Sequence, residues 1–342
     1  MKVPVPVSTA LGLAAGLAGG LLVARRARRR RLDLHDAVAL VTGGSRGLGL
    51  ELARELGRRG ARVAICARDA DTLGRARQDL ERRGVPALAL ECDVTDRDST
   101  AAAVRAVRAR WGRLDILVNN AGIIQVGPLE TMTLEDFDHA MRVNFWGPLQ
   151  MTLAALPAMR EQGSGRVVNI VSIGGKVSVP HLAPYSASKF ALAGLSEGMH
   201  AELAGSGIEV TTVYPGLMRT GSPRHALFKG QHRAEYAWFS ISDALPLVSM
   251  SVQRAARRIV DAVQAGEASL VLSLPAKLVA RAPALLPRIT AAALGVVSRL
   301  LPEGGTAGAG QRRGRDSESA WSPSVLTSLG ERAARTQNQG AD

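Results

Sequence analysis

The chain has little of several things, and each scarcity excludes something. Among 342 residues there are two cysteines, Cys66 and Cys92, too few for a disulfide scaffold. Both fall at the ends of apolar runs, which suits buried thiols in a reducing compartment. The six histidines, His35, His139, His181, His200, His225 and His232, are scattered without metal-ligand spacing, so no metal site is expected. Aromatic residues make up 4% of the chain, so bases would find few rings to stack on. Acidic residues are outnumbered by basic ones, 30 to 43, a formal net charge of +13. Arg25, Arg26, Arg28, Arg29, Arg30 and Arg31 supply six of those charges. No recognition-helix pattern accompanies them, so no nucleic-acid partner is expected, and a membrane surface explains the cluster better.

What is present is an alternation of short apolar runs and helical patterns from residue 37 to about 273. This predicts an α/β fold: a doubly wound parallel sheet of Rossmann type in one domain. The apolar run Ala37 to Val41 reads as a strand. Thr42-Gly43-Gly44-Ser45-Arg46-Gly47-Leu48-Gly49 follows, then a helical pattern through Leu50, Leu52, Ala53 and Leu56. Strand, glycine turn and helix form a dinucleotide-binding context, because glycines admit close backbone approach and a helix start offers free N–H groups to a pyrophosphate. A second strand, Arg62 to Cys66, ends in Ala67-Arg68. An acid there would bond the ribose 2′-hydroxyl of NAD. Ala67 stands in its place, and Arg46 and Arg68 suit a 2′-phosphate, so NADP(H) is expected over NAD(H), with Asp69 the nearby counter-indication.

Tyr185 and Lys189 are four residues apart and so share one helix face. An ammonium near a phenol favours the phenolate and lowers its pKa, which makes the pair a candidate proton donor or acceptor. Ser172 lies thirteen positions before the tyrosine.

Together these residues resemble the short-chain dehydrogenase/reductase family over roughly Asp36 to Ser273. Thr42 to Gly49 is similar to its cofactor turn, with Gly43, Ser45, Arg46, Gly47, Leu48 and Gly49 as the contacts. Asp93-Val94, after a strand from Ala87 to Glu91, resembles the adenine-contacting pair. Asn119-Asn120-Ala121-Gly122, after a strand from Asp115 to Val118, matches the family signature, with Asn120, Ala121 and Gly122 toward the cofactor. Pro215, Gly216 and Thr220 match the segment that holds the nicotinamide carboxamide. Asn144, Ser172, Tyr185 and Lys189 match the catalytic residues; Val171 stands where many relatives carry a further serine.

The resemblance implies that Ser172 orients a substrate carbonyl and Tyr185 exchanges its proton. Lys189 would lower the tyrosine pKa and hold the nicotinamide ribose, and Asn144 would hold a water linking Lys189 to solvent. It further implies a small-molecule carbonyl or alcohol substrate and a homodimer or homotetramer. A catalytically silent nucleotide-binding protein is disfavoured because Tyr185 and Lys189 both remain. A same-fold epimerase or dehydratase is disfavoured because little chain is left for a substrate domain.

The flanks carry separate expectations. Residues 1–24 hold an uncharged Val, Leu, Ala and Gly run long enough to span a bilayer, followed by the basic linker 25–35. Positive charge after the apolar run places the catalytic domain on the cytoplasmic side. A membrane-lying segment and a disordered leader are the alternatives. Residues 217–250, with Phe228, Tyr236, Trp238 and Phe239, are the expected substrate lid, either facing an apolar substrate or packing on the core. In 274–302, Leu278, Ala282, Leu285 and Ile289 oppose Lys277, Arg281 and Arg288. This is amphipathic spacing for a membrane or a partner subunit, with Pro283 and Pro287 expected to break or kink it. Residues 303–342 have the composition of a disordered tail.

Overall fold

The computed structural model describes residues 31–245, 249–304, 310–319, 321–324 and 327–339. The expected anchor and nearly all of the arginine cluster therefore lie outside the described residues. Seven parallel strands form the centre: β1 (Val38–Thr42), β2 (Arg62–Ala67), β3 (Ala87–Glu91), β4 (Ile116–Asn119), β5 (Gly165–Ile170), β6 (Ile208–Tyr214) and β7 (Ser269–Val271). Their spatial order is β7-β6-β5-β4-β1-β2-β3, so the order reverses between β1 and β4. That reversal leaves a crevice at the carboxyl ends of β1 and β4, where ligands bind in doubly wound sheets.

The strands are apolar without a polar face because both faces are covered. Ala39 and Val41 of β1 enter one core with Leu50, Leu52 and Leu56 of helix α1 (Gly47–Arg58), while Val38 and Leu40 enter the other. Period-two alternation thus divides one short strand between two cores. The first core also takes Leu73, Ala76 and Leu80 of α2 (Ala70–Arg82). The second takes Ala103, Val104 and Val107 of α3 (Arg97–Trp111).

After β4 the chain makes helix α4 (Leu134–Met141), a π turn (Arg142–Trp146) and helix α5 (Gly147–Gln162). Helix α6 (Ala183–Glu202) follows β5, and α7 (His232–Ala244) crosses the expected lid. Helix α8 (Val252–Ala265) buries Val252, Ala255, Ala256, Ile259 and Val263 against the first core.

Beyond β7 the structure bears on two expectations. Pro283 sits inside helix α9 (Leu274–Leu285) without ending it. The break comes between Leu285 and Pro287, where α9 meets α10 (Pro287–Leu300) at 119°. No single described helix is long and apolar enough to cross a membrane. The stretch read as a disordered tail is folded where it is described. Arg312–Arg313 pairs antiparallel with Leu227–Phe228, and α11 (Ser328–Thr336) docks on the domain with Ala334 buried. Composition misleads here because the segment builds no core of its own and takes its order from a surface already formed.

Candidate active site

The glycine turn is held by one buried side chain. Thr42 Oγ1 accepts from the main-chain N–H groups of Asn120 at 2.9 Å and Ala121 at 3.0 Å. Asn120 Nδ2 returns bonds to the carbonyls of Thr42 at 3.0 Å and Gly43 at 3.2 Å. The ends of β1 and β4 are thereby locked together at the switch point. Gly43 has φ +61°, and a Cβ there would lie 2.9 Å from Ala121 Cα. A Cβ at Gly49 would collide with the Gly43 carbonyl oxygen. Glycine is therefore required at both positions, and the turn forms a cradle of the kind that admits a pyrophosphate. Ser45, Gly47 and Leu48 are buried at the entry of α1, and Arg46 is partly exposed beside them.

Along the crevice, Arg68 is exposed just past β2. Asp69 does not face outward as a free acid: it caps α2, accepting from Thr72 N at 2.7 Å. The Thr72 hydroxyl and amide hold its carboxyl below the usual range, helped by Arg75 and Arg46. Asp93 is likewise committed locally, accepting from Thr95 N at 2.9 Å and Thr95 Oγ1 at 2.8 Å. Val94 is buried next to Gly147.

The second half of the site comes from β5, α6 and the π turn. Ser172 follows β5, and its Oγ accepts from Gly174 N at 3.0 Å. Ser172 Oγ and the Tyr185 ring of α6 both flank Gly174, 3.5 and 3.1 Å from where a Cβ would project. Burial pushes the Tyr185 pKa up, and the nearby Ser172 hydroxyl opposes that shift. Lys189 is 5% exposed, and its Nζ donates to the Ile170 carbonyl at 2.9 Å. Burial lowers the Lys189 pKa to about 8.

Lys189 approaches Tyr185 from the side of β5. The ammonium points at the end of β5, 5.8 Å from the Tyr185 ring centroid, and burial is the stronger influence on the phenol. Asn144 is held by its neighbours. Its Oδ1 accepts from Ile123 N at 2.9 Å, and its Nδ2 donates to Ile123 O at 3.1 Å and Ser188 Oγ at 2.9 Å. Both polar atoms of the side chain are thus engaged by protein groups. Asn144 sits in the π turn, a local widening that often marks a functional position. Asn144 Oδ1 and Lys189 Nζ both flank Gly122, 2.9 and 3.6 Å from where a Cβ would project.

Pro215, Gly216 and Thr220 follow β6. Ile173 N donates to the Pro215 carbonyl at 2.7 Å, tying this loop to Ser172, and Thr220 is buried. The four residues Asn144, Ser172, Tyr185 and Lys189 are thus gathered at the carboxyl ends of β4 to β6, beside the turn after β1. Arg68 and Asp93 lie farther out, at the ends of β2 and β3.

Two groups of contributors escaped the sequence reading. Asn119 Nδ2 donates to Asn169 Oδ1 and Thr152 Oγ1, both at 2.9 Å, and Asn169 Nδ2 donates to Ser196 Oγ at 2.9 Å. This buried network fixes β4 and β5 to α5 and α6 under the site. Glu235 of α7, fully buried, meets His181 Nδ1 at 2.8 Å and accepts from Trp238 Nε1 at 2.6 Å. It fastens the lid helix to the chain entering α6. No local spacing announces partners 54 residues apart in sequence. The lid aromatics mostly pack inward: Phe228 and Tyr236 are fully buried, with Tyr185 and Trp238 at the edge of their cluster. Among the described residues, no group of His, Cys, Asp or Glu is placed to hold a metal ion.

Comparison with known proteins agrees with this geometry. Residues 37–227 match the family model described as short chain dehydrogenase. A dehydrogenase/reductase SDR family protein 7-like of Anopheles gambiae is 34% identical over 263 residues, covering 75% of this chain and 81% of its own. A gluconate 5-dehydrogenase from Burkholderia cenocepacia, solved with NADP and tartrate, superposes with a TM-score of 0.64 at 30% identity, over 73% of this chain and 98% of its own. An actinorhodin polyketide ketoreductase variant solved with NADPH gives a TM-score of 0.63 at 35% identity, over 70% of this chain and 95% of its own. The chain belongs to the short-chain dehydrogenase family, the NAD(P)-dependent oxidoreductases of alcohol and ketone groups.

Proposed function

We propose that this chain is an NADP(H)-preferring oxidoreductase that interconverts a ketone or aldehyde with an alcohol on an apolar small molecule, acting mainly as a reductase. The observation that carries this reading is the juxtaposition of Ser172 and Tyr185 around Gly174, with Lys189 Nζ 5.8 Å from the Tyr185 ring centroid. The nicotinamide supplies the hydride when bound. Gly43, Ser45, Gly47, Leu48 and Gly49 form the cradle for its pyrophosphate; Asn120, Ala121 and Gly122 form the facing wall, and Pro215, Gly216 and Thr220 the far end. Ser172 donates to the carbonyl oxygen of the substrate and orients it. Tyr185, like any phenol, carries its proton at neutral pH and delivers it to that oxygen as negative charge develops. Lys189 contributes positive charge from 5.8 Å and stands ready for ribose hydroxyls. Asn144 holds the loop at Ile123 and the hydroxyl of Ser188, and so positions the floor beneath Lys189.

The preference for NADP(H) is supported by Ala67 and the exposed Arg68 at the end of β2, and by the commitment of Asp69 to its helix cap. The solved relatives with NADP and NADPH support it further. An apolar substrate is supported by Ile124, Val179 and Trp238, partly buried against the same apolar cluster as Tyr185. A silent nucleotide-binding protein would leave the Ser172–Tyr185 pair without a role.

The protein works at a membrane in this reading. The uncharged run in 1–24 anchors it, with the domain on the cytoplasmic side. Helices α9 and α10 add a second contact: Leu278, Leu285, Ile289 and Leu300 are 64%, 72%, 63% and 80% exposed. Residues 274–300 carry positive charge only, through Lys277, Arg281, Arg288 and Arg299, and no acid. Exposed Trp146, Leu153 and Phe190 offer a surface to a second subunit, consistent with a homodimer or homotetramer. A panel of ketones and alcohols of graded apolarity, scored by NADPH fluorescence, tests the reading. Turnover favouring apolar ketones supports it; NADPH binding with no turnover on any carbonyl contradicts it.

A further inference from the structure

The surface of the glycine turn fits one more partner, the chain's own C-terminal segment. Gly47 N, at the start of α1, donates to the Gln337 carbonyl at 3.0 Å. Asn338 Nδ2 donates to the carbonyls of Ser45 at 2.8 Å and Thr72 at 2.9 Å, while its Oδ1 accepts from Arg75 Nε at 3.1 Å. Gln339 Nε2 donates to the Thr220 carbonyl at 2.7 Å, on the opposite wall of the crevice. Residues 337–339 therefore bridge the crevice from α2, across the turn, to the loop after β6.

The docking is built, not incidental. Arg54 holds the Thr336 carbonyl at 3.1 and 3.2 Å through its two terminal nitrogens, and Gln337 Nε2 reaches Glu51 at 3.2 Å. Arg224 pairs with Glu331 at 3.0 Å. Gly221, at φ +84°, leaves room for α11: a Cβ there would stand 2.5 Å from the Ala334 Cβ. Gln337 is fully buried and Gln339 is 6% exposed.

A helix N-terminus gives its free N–H to one acceptor at a time. A pyrophosphate on the turn and the Gln337 carbonyl claim the same donor. We propose that residues 334–339 are an intramolecular competitor for the nucleotide, a plug that must leave the glycine turn before the cofactor binds. The proposal rests on the reading of Thr42 to Gly49 as the cofactor turn. The plug lowers apparent affinity by the fraction of molecules in which it is undocked, so a plug docked nine times in ten weakens binding about tenfold.

The test is NADPH binding by fluorescence titration, compared among the full chain, a chain ending at residue 324, and full-length Ala334→Trp. The tryptophan cannot fit against Gly221, and Ala334 is not among the residues assigned to catalysis or cofactor binding. The proposal expects both altered proteins to bind NADPH about tenfold tighter. A peptide of residues 327–342 added to the shortened chain raises the apparent Kd again. NADPH also speeds tryptic cleavage after Arg335 in the full chain. Equal affinity in all three proteins overturns the plug while leaving the cofactor site intact. Weaker binding by the altered proteins, with slower cleavage on adding NADPH, overturns it too and makes the segment a clasp over the nucleotide. Binding of NADPH by none of the proteins overturns the plug and the cofactor reading together.

Discussion

Lys189 Nζ donates to the Ile170 carbonyl at 2.9 Å, so the last residue of β5 holds the cation buried beside Tyr185. Burial lowers this lysine from 10.5 to about 8 in the folded protein. Between these values the unfolded chain binds more protons than the folded one, so stability rises with pH across that window. Below about 8 the full cost of a buried ammonium is present. At 1.36 kcal/mol per pKa unit, the window is worth about 3 kcal/mol. Lys189→Met removes the titration. Urea unfolding at pH 7.5 and 10.5 is expected to show wild type gaining roughly this amount relative to the variant at the higher pH. An offset that is the same at both values would show that the ammonium is not buried at a cost.

Tyr185→Phe removes the transferable proton and leaves the ring in its cluster with Leu182 and Trp238. Turnover is expected to fall roughly 10²–10⁴-fold, the usual worth of a positioned acid, while the NADPH Kd stays within about twofold. Steady-state rates beside fluorescence titration check this. A variant that retains wild-type turnover would remove the phenol from proton transfer.

Arg68→Asp places a carboxylate after β2, where it repels a 2′-phosphate and accepts from a 2′-hydroxyl. Preference is expected to move toward NADH by about tenfold or more, one lost charge pair being worth about 1.4 kcal/mol here. The ratio of kcat/KM for the two cofactors reads it out. An unchanged ratio would assign phosphate recognition to Arg46 or another cation.

Glu235→Ala leaves His181 and the Trp238 indole N–H without their common acceptor in a buried setting. A loss of roughly 3–5 kcal/mol is expected for breaking such a pair from one side. Thermal unfolding checks the stability, and KM checks the lid. A melting temperature within a degree or two of wild type would mean the pair is not holding α7 to the start of α6.

Much of this fold was legible because its signals are local. β3 begins and ends where the run Ala87 to Glu91 does, and Gly43, Gly47 and Gly49 announce the turn by spacing alone. The reading of Tyr185 and Lys189 as helix neighbours needed only the number four. What stayed hidden depends on distant partners. The bonds that tie the Asn144 amide to Ile123 and Ser188 have no local signature. For Phe228 and Tyr236 the sequence left a substrate face and core packing both open, and their rings pack edge-on at 5.5 Å within the core. The tail reads as disordered because Gln337 and Asn338 belong to no apolar pattern. Their partners Glu51, Ser45 and Thr72 lie 286, 293 and 266 residues upstream. Hydrogen bonding to a surface made elsewhere leaves no periodic trace.

The most direct measurement follows deuterium from 4-deuterated NADPH into an apolar ketone, in wild type and Tyr185→Phe. The account predicts an alcohol labelled at the former carbonyl carbon with wild type, and a yield reduced at least a hundredfold with the variant despite bound cofactor. Equal labelling by the two proteins, or label that never reaches the carbonyl carbon, would contradict it.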